Sequence, residues 1–212
     1  MYDYVLFDLD GTLSDTSAGV TKGVRIALKA FGIEAELDEL RKFIGPPLTY
    51  SFSTFYGFEG EDLTKVIDIF REYYLGGGLY DNRPYDGLHE LLDKIRGDGR
   101  KLAVATSKLE DAAIDVLTKN GLAGHFDMIC GASADGTITT KQEVLESFFR
   151  RAGNPDKAKV VLVGDTAFDA NGAKAVGIDC IGVLYGFGTR EELEQAGVRY
   201  IAPTVEQICD YL

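Results

Sequence analysis

Five short, nearly continuous apolar runs alternate with amphipathic helical patterns along the chain, and this alternation limits the possible folds more than any other feature. The runs lie at residues 4–8, 101–106, 126–131, 160–164 and 179–184. Strands of this composition are typical of a parallel sheet covered on both faces. Helical patterns at 87–96, 109–120, 141–152, 167–176 and 190–196 predict right-handed crossovers between the strands. The sequence therefore predicts an α/β domain with a doubly wound parallel sheet.

The stretch between the first strand and the helix at 87–96 is far too long for an ordinary βα connection. It carries helical patterns at 17–31, 37–43, 47–56 and 61–75, and no convincing strand. We therefore expect residues 1–13 and 82–212 to form the α/β core domain, and residues 14–81 to form an inserted helical-bundle cap. Ligands bind at the carboxyl edge of open α/β sheets, where this insertion begins. The cap should cover the site like a lid, with hinges at 14–16 and in the glycine run 76–78.

Composition argues against several classes of partner. The net charge of −12 argues against a nucleic acid polymer or an anionic membrane, because both attract clustered Lys and Arg. The three cysteines are odd in number and far apart, as in a reduced protein without disulfides or a zinc site. No apolar run approaches the length of a membrane span, and the chain opens directly with a strand. We expect a cytoplasmic monomer or homodimer.

Two acidic pairs follow two of the apolar runs. Asp8 and Asp10 come at the end of the first run, and Asp165 and Asp169 follow "VVLVG". If these strand ends are neighbours, four carboxylates meet in one small volume. Two like charges about 4 Å apart repel by roughly 4 kcal/mol at an effective dielectric constant near 20. The cluster therefore needs a cation, and an all-oxygen ligand set suits Mg²⁺ better than Zn²⁺.

A hydroxyl group and a lysine complete this constellation. The sequence "VATSK" places Thr106 and Ser107 at the end of the second core strand, where a hydroxyl and backbone amides can hold phosphate oxygens. Lys141 opens a helix after a loop, a suitable place for a fixed positive charge. A carboxylate nucleophile, a metal, a hydroxyl and a lysine make a phosphoryl-transfer site. Neither His89 nor His125 lies near these motifs, and we expect both to be surface or satisfied core residues.

Four motifs, in order "DLDGT", "ATSK", "TKQEV" and "GDTAFD", resemble those of the haloacid dehalogenase-like hydrolases, and the resemblance covers essentially the whole chain. The segments "KFIGPPL" and "GVLYGFGTREELEQAG" and the helical insertion further resemble the branch of phosphoglycolate phosphatases and 5′-nucleotidases with a helical cap. The resemblance implies a Rossmann-like core and an Mg²⁺-dependent phosphatase. Its substrate would be a small phosphorylated metabolite, of the phosphoglycolate or nucleoside 5′-monophosphate type.

The resemblance also implies a role for each catalytic residue. Asp8 would attack the phosphorus and become an aspartyl phosphate. Asp10 would protonate the leaving oxygen and then deprotonate the water that hydrolyses the intermediate. Thr106 and Lys141 would hold and neutralise the phosphoryl oxygens.

Metal and substrate ligands are implied in the same way. Asp8, the backbone carbonyl of Asp10, and Asp165 would hold Mg²⁺, with Asp169 assisting directly, through Lys141 or through water. The loop at 42–48 either only joins two cap helices or, as the resemblance implies, selects the substrate. The expected substrate-binding residues are Gly11, Thr12, Thr106, Ser107, Lys108 and Lys141 in the core and Lys42, Gly45 and Pro46 in the cap.

Three other functions share parts of this pattern. A dehalogenase would use Asp8 but would need neither Asp10 nor a metal site, so Asp10 and the expected metal site both argue against it. A mutase of the β-phosphoglucomutase kind shares the whole core, protects the aspartyl phosphate from water and rebinds a bisphosphate. A signalling receiver also has a doubly wound sheet, Mg²⁺ and a phosphorylated aspartate, but it is much shorter, lacks the insertion and accepts phosphate on its third strand.

Overall fold

A computed structural model describes all residues, 1–212, and contains a six-stranded parallel sheet with helices on both faces, which confirms the predicted fold class. The strands are β1 Tyr4–Phe7, β2 Ser14–Asp15, β3 Arg83–Pro84, β4 Lys101–Leu109, β5 Met128–Ala132, β6 Val160–Gly164, β7 Asp179–Val183 and β8 Tyr200–Ala202. The α-helices are α1 Ser17–Ala30, α2 Leu48–Tyr56, α3 Gly60–Leu75, α4 Leu88–Gly97, α5 Glu110–Lys119, α6 Lys141–Arg151, α7 Ala167–Val176 and α8 Arg190–Ala196. Shorter 3₁₀ helices lie at Asp38–Phe43, Gly78–Tyr80, Ala123–His125, Lys157–Lys159 and Glu206–Tyr211.

The sheet order β5-β4-β1-β6-β7-β8 places β1 between β4 and β6. Phe7, the last residue of β1, lies opposite Val104 of β4 and Val163 of β6. All of these pairings are parallel, so the carboxyl ends of β1, β4 and β6 lie side by side. The residues that follow these strands therefore converge at one edge of the sheet.

Alternation of side chains along β1 explains why its sequence is continuously apolar. Val5 and Phe7 belong to one buried hydrophobic cluster, and Leu6 belongs to a second cluster on the other face. Side chains of a strand point alternately to the two faces, and here each face is covered by helices. A polar residue inside β1 would therefore be buried on either face.

The cap consists of α1, α2, α3 and the 3₁₀ helix Asp38–Phe43. Helix α1 packs against α3, and Phe43 makes an edge-to-face contact with Phe52 at 4.9 Å between ring centroids. The first hydrophobic cluster includes Val20 and Phe70 of the cap together with Val104 of the core. The cap therefore lies directly on the core in this structure.

Two details differ from the sequence predictions. The stretch expected to hold no strand contains β2, which pairs with β3 in a two-stranded antiparallel ribbon where the chain enters and leaves the cap. The sheet also gains β8, and a 3₁₀ helix ends the chain. These elements are too short to show a periodic pattern, since β2 and β3 have two residues each and β8 has three.

No helix is long and apolar enough to cross a bilayer.

Candidate active site

Three of the expected site residues lie at the junction of β1, β4 and β6. Asp8 directly follows β1, Thr106 lies near the end of β4, and Asp165 directly follows β6. All three residues are buried, with 3%, 1% and 0% of their surface exposed. The parallel register of the strands brings these residues together although they are far apart in the sequence.

Lys141 connects two of the buried carboxylates. Its Nζ lies 2.7 Å from Oδ1 of Asp8 and 2.9 Å from Oδ1 of Asp169, and it donates a hydrogen bond to the carbonyl oxygen of Ala105 at 2.8 Å. Burial opposes the charge of Lys141, but attraction by Asp169 and Asp8 outweighs it and raises the lysine pKa. The ammonium group is therefore a permanent positive charge beside Asp8.

Local structure holds Lys141 at this position. It is the first residue of α6, which begins with a reciprocal capping box between Thr140 and Glu143. Gly172 of α7 packs against the stem of Lys141, and a side chain at Gly172 would overlap Lys141 Cγ. The helix start and the neighbouring helix together direct the lysine into the site.

Asp165 is held by groups from two other segments. Its Oδ2 accepts a hydrogen bond from the Phe187 backbone N–H at 2.8 Å, and its Oδ1 accepts one from Thr12 Oγ1 at 3.1 Å. Gly11 has φ +87° and packs so closely on Asp165 that a side chain there would clash. Gly186 is equally close. Burial raises the pKa of Asp165 well above its usual range, and the nearby carboxylates add to the rise.

The acidic cluster contains more carboxyl groups than cations. Carboxylate oxygens of Asp8, Asp165 and Asp169 lie within 4.8 Å of one another, and Lys141 is the cation bound to two of them. Burial raises the pKa of Asp8 to about 7, against the opposing effect of Lys141. Three buried carboxyl groups face one ammonium, and the raised pKa values of Asp8 and Asp165 reflect negative charge that lacks a balancing cation. A divalent cation would supply that balance. The donor set therefore fits the predicted metal.

Both oxygens of Asp169 are already engaged. Oδ1 faces Lys141, and Oδ2 accepts hydrogen bonds from the Thr166 backbone N–H at 3.0 Å and from Thr166 Oγ1 at 2.8 Å. The contact with the Thr166 backbone N–H is one half of the capping box of α7. Asp169 is thus placed to hold Lys141, and a direct bond to a metal would compete with these contacts.

Asp10 is paired with a different lysine. Oδ2 of Asp10 lies 3.0 Å from Lys108 Nζ, which also donates a hydrogen bond to the phenol oxygen of Tyr74 at 2.8 Å. Tyr74 belongs to the cap helix α3, so this contact joins cap and core. Oδ1 of Asp10 is buried and has no hydrogen-bond partner. Asp10 therefore has an acceptor oxygen available for a substrate or water proton.

The hydroxyl groups of "VATSK" occupy different positions. Thr106 is buried, and its Oγ1 accepts a hydrogen bond from the Lys108 backbone N–H at 3.2 Å. Ser107 is half-buried and lines a cavity between cap and core. Of these two residues, Thr106 is the one that is fully buried at the sheet edge.

The expected cap residues are not all at the site. Gly45 and Pro46 line the cavity, and Gly45 also packs on Thr166 of the core. Lys42 does not line it, because its ammonium lies over the rings of Phe55 and Tyr56, at 5.0 and 5.1 Å from their centroids. This cation–π arrangement places Lys42 in the outer packing of the cap.

The two histidines lie away from the acidic cluster, as expected. His89 Nδ1 and His125 Nε2 are 3.1 Å apart, and His125 Nδ1 lies 3.2 Å from a carboxylate oxygen of Asp93. Neither histidine lines the cavity.

Three contacts of the site were missing from the sequence predictions. They come from Tyr74, Thr166 and the backbone N–H of Phe187. Thr166 could have been found, since a Thr three residues before an acidic residue at a helix start is a capping signal. Tyr74 and Phe187 carry no such signal, because their contacts depend on how the cap and a distant loop fold over the sheet.

Comparisons with known proteins show which proteins this chain resembles. A family model described as haloacid dehalogenase-like hydrolase matches residues 5–183. A 5′-nucleotidase of Pseudomonas aeruginosa is 40% identical over 193 residues, 91% of this chain and 87% of the relative. The tyrosine-protein kinase PtkA of Mycobacterium tuberculosis is 35% identical over 98% of this chain and 72% of the relative. The crystal structure of a predicted phosphatase from Clostridium acetobutylicum has a TM-score of 0.96 at 40% identity, covering 100% of this chain and 98% of that chain.

Proposed function

The chain belongs to the haloacid dehalogenase-like hydrolase family and is a phosphatase, and from this premise we propose that it hydrolyses small phosphomonoesters through an aspartyl phosphate, with Mg²⁺ as its metal. One observation carries the proposal. Asp8 is a buried carboxylate at the centre of the sheet edge, with Lys141 beside it and further carboxylates within 4.8 Å. A nucleophile, a fixed cation and a metal-binding cluster are the parts that phosphoryl transfer requires.

Asp8 is the nucleophile in this proposal. Its carboxylate attacks the phosphorus, a bond forms between the carboxylate oxygen and phosphorus, and the bond from phosphorus to the leaving oxygen breaks. Lys141 and Thr106 face the phosphoryl oxygens, where the ammonium charge and the hydroxyl donor stabilise the negative charge of the transition state. Asp169 keeps Lys141 in position through its 2.9 Å contact.

Asp10 acts as the general acid and then as the general base. It first gives a proton to the leaving alcohol, and it then takes a proton from the water that attacks the aspartyl phosphate. The unpartnered Oδ1 supports this role, since one carboxylate oxygen is free to exchange the proton while Oδ2 stays with Lys108. The outcome is the free alcohol, inorganic phosphate and regenerated Asp8.

Asp8, Asp165 and the backbone carbonyl of Asp10 are the residues that would hold Mg²⁺. When bound, the ion supplies positive charge next to the transferred phosphoryl group. The chain's own residues hold Asp165 in place for this role. The Phe187 backbone N–H and the Thr12 hydroxyl donate hydrogen bonds to its carboxylate, and Gly11 packs directly against it. We also propose that the substrate is a small phosphorylated metabolite and that the protein is cytoplasmic. The three free cysteines support the cytoplasmic location.

Substitution of the nucleophile tests the proposal directly. Asp8→Asn keeps the shape of the side chain but removes its nucleophilicity, so turnover of p-nitrophenyl phosphate with Mg²⁺ should fall below a tenth of wild type. Asp115→Asn on the exposed face of α5 is the matched control and should keep full activity. Retained activity in Asp8→Asn would contradict the mechanism. Labelling by acetyl phosphate without release of phosphate would instead indicate a receiver-like acceptor, and isomerisation of a sugar phosphate would indicate a mutase.

Metal removal tests the proposed role of Mg²⁺. Chelation should abolish turnover, Mg²⁺ should restore it, and Ca²⁺ should restore it poorly, because its larger and looser coordination shell disturbs the in-line geometry. Asp165→Ala should raise the Mg²⁺ concentration needed for half-maximal activity. Full activity after exhaustive chelation would refute the metal's role.

A further inference from the structure

The leaving-group side of the site is a cavity between the cap and the core. It has a volume of about 290 Å³ and reaches Asp10 and Lys108. Asp8, Thr106 and Lys141, to which we assign the phosphoryl group, do not line it. This role of the cavity rests on the proposed function, in which Asp10 protonates the leaving oxygen. On that basis the cavity wall contacts the alcohol part of the substrate.

Most of this wall is apolar. Of the 25 lining residues, 13 are hydrophobic, so burial of apolar surface dominates what the cavity can offer a ligand. The cap contributes Phe43, Ile67 and Phe70, and the core contributes Leu109 and Ala112. A ligand with an apolar ring would replace water against these side chains, at about 25 cal/mol per Å² of buried apolar surface.

The charges of the wall are already balanced. Lys108 is its buried cation, and it is held by Asp10 at 3.0 Å and by the phenol oxygen of Tyr74 at 2.8 Å. The other charged lining residues are Arg71 and Asp135, which are exposed and of opposite sign. The lining therefore has no net positive charge, and it has no unpaired buried cation to offer a second anionic group.

An anionic leaving group would lose its hydration in the cavity without gaining a buried counter-ion. A carboxylate such as that of phosphoglycolate would enter beside Asp10 and compete with it for Lys108. Buried charge without an available counter-ion is unfavourable. The same argument applies to the second phosphate of a sugar bisphosphate, which a mutase must rebind.

The size of the cavity also favours a nucleoside over glycolate as the leaving group. Water occupies about 30 Å³ per molecule in the liquid, so the cavity has room for roughly ten water-sized groups. A glycolate group would leave most of this space unfilled. A nucleoside has a flat ring for the apolar wall and sugar hydroxyls that can meet the hydroxyl of Ser107, which also lines the cavity.

We propose that the cavity selects phosphomonoesters whose leaving alcohol is uncharged and carries a ring, with nucleoside 5′-monophosphates as the biological form, and that it disfavours leaving groups with a negative charge. The walls and the balanced Asp10–Lys108 pair carry this choice, and the acidic cluster takes no part in it. Of the two substrate types expected from the sequence, the cavity therefore favours nucleoside 5′-monophosphates over phosphoglycolate.

Four substrates with unactivated alcohols test size and charge separately. They are AMP, benzyl phosphate, ethyl phosphate and phosphoglycolate, each measured as kcat/KM with Mg²⁺. Benzyl and ethyl phosphate differ by the ring, and ethyl phosphate and phosphoglycolate differ by the carboxylate. We expect benzyl phosphate to exceed ethyl phosphate at least tenfold and phosphoglycolate to be the poorest. If kcat/KM for AMP equals or exceeds that for benzyl phosphate, the site is assigned to nucleosides. If kcat/KM for benzyl phosphate is well above that for AMP, the preference for a ring stands but the nucleoside assignment is overturned.

Placing a cation in the cavity should reverse the charge preference. Ile67→Lys puts an ammonium in the apolar wall, and Leu75→Lys does so at a lining position that is 49% exposed and tolerates a charge in the fold. Either variant should raise the ratio of phosphoglycolate to ethyl phosphate turnover about tenfold. Ile26→Lys on the exposed face of α1, outside the cavity, is the control and should leave every ratio unchanged.

Acetyl phosphate separates a failure of substrate selection by the cavity from a failure of the phosphatase mechanism. If wild type hydrolyses it in an Asp8-dependent way but prefers phosphoglycolate, the cavity inference is wrong and the phosphatase mechanism stands. Unchanged ratios in a folded Leu75→Lys variant would also overturn the inference. If no phosphomonoester and no acetyl phosphate is hydrolysed, the proposed function itself fails.

Discussion

The site contains two buried lysines, and each is paired with one aspartate of "DLDGT" in a different way. Lys141 joins Asp8 to Asp169 and to a β4 carbonyl, so all of its partners belong to the α/β core. Lys108 joins Asp10 to Tyr74, so one of its partners belongs to the cap. The first centre is complete without the cap, whereas the second is complete only when the cap lies on the core.

This difference matches the chemistry that we assign to each centre. The phosphoryl group is common to all phosphomonoesters, and a centre fixed by the sheet edge can treat them alike. The leaving group varies among substrates, and the residue that protonates it is coupled to the element that encloses it. Binding energy from the leaving group can then contribute to positioning Asp10.

The largest effect is expected from breaking the core centre. Lys141→Met leaves Asp8, Asp165 and Asp169 without their buried cation, and breaking a buried ion pair in this way typically costs about 3–5 kcal/mol. Loss of the ammonium beside the phosphoryl group should also lower kcat by about a hundred- to a thousandfold. Urea unfolding and p-nitrophenyl phosphate turnover measure the two effects.

The exposed Lys174 of α7 provides the control for this substitution. Lys174→Met should change stability by less than about 0.5 kcal/mol and leave kcat unchanged. A Lys141→Met protein as stable and as active as Lys174→Met would show that the core centre has no special role.

The core centre was accessible from the sequence because its residues occupy positions that topology fixes. Asp8 and Asp165 follow apolar runs, Lys141 starts a helix, and parallel strands gather their carboxyl ends at one edge. The six-stranded sheet and the family membership are confirmed. The pairing of Asp169 with Thr166 could also be derived from helix capping, although it was not predicted.

The pH dependence of metal-free stability is the second test of the core centre. Burial raises the pKa of Asp8 from 3.8 to about 7 in the folded state, so the folded protein retains a proton that the unfolded chain releases above pH 4. The stabilising contribution of this proton is complete below the unfolded pKa and is lost as pH rises through about 7. Asp165 shifts in the same direction. The metal-free protein should therefore lose stability between these pH values, by an amount on the order of a few kcal/mol.

Asp8→Asn isolates this contribution. The variant cannot ionise at residue 8, so the free energy of unfolding of wild type relative to the variant should fall between pH 4 and pH 7 in the presence of chelator. Adding Mg²⁺ at pH 7 should stabilise wild type more than the variant. Parallel pH profiles of the two proteins would contradict the role of Asp8 in this linkage.

Breaking the second centre should have a smaller effect. Lys108→Met removes the partner of Asp10 Oδ2 but leaves the phosphoryl-binding residues intact, so kcat should fall by about ten- to a hundredfold, the range of a misplaced general acid. The pH profile of kcat should change in shape, because the charge beside Asp10 is lost. A change in KM alone would indicate a role in substrate binding and not in positioning Asp10.

Sequence patterns could not predict this second centre. The sequence predicts Lys108 as a substrate-binding residue, but its partner Tyr74 lies 34 residues away in the cap. Helical periodicity places Tyr74 on the buried face of α3, which is equally consistent with simple packing. Its contact depends on how the inserted helices sit on the sheet, and neither the motifs nor the hydrophobic pattern contains that arrangement.

The smallest effect is expected from Tyr74→Phe, which removes only the hydroxyl through which the cap reaches Lys108. The ring still fills its place in the cap core, so stability should change by about 1 kcal/mol, the typical net value of a hydrogen bond. Lys108 keeps Asp10, and kcat should fall only a few-fold. The loss of kcat should be greater for substrates with a large leaving group than for acetyl phosphate, because only a large leaving group contacts the cap.

Measuring kcat for AMP and acetyl phosphate on the same preparation gives the ratio of the two losses. Tyr50→Phe, on an exposed ring of the cap, is the control. An equal loss for both substrates would mean that the hydroxyl acts on Asp10 alone, and the two centres would then differ in location but not in their dependence on the cap.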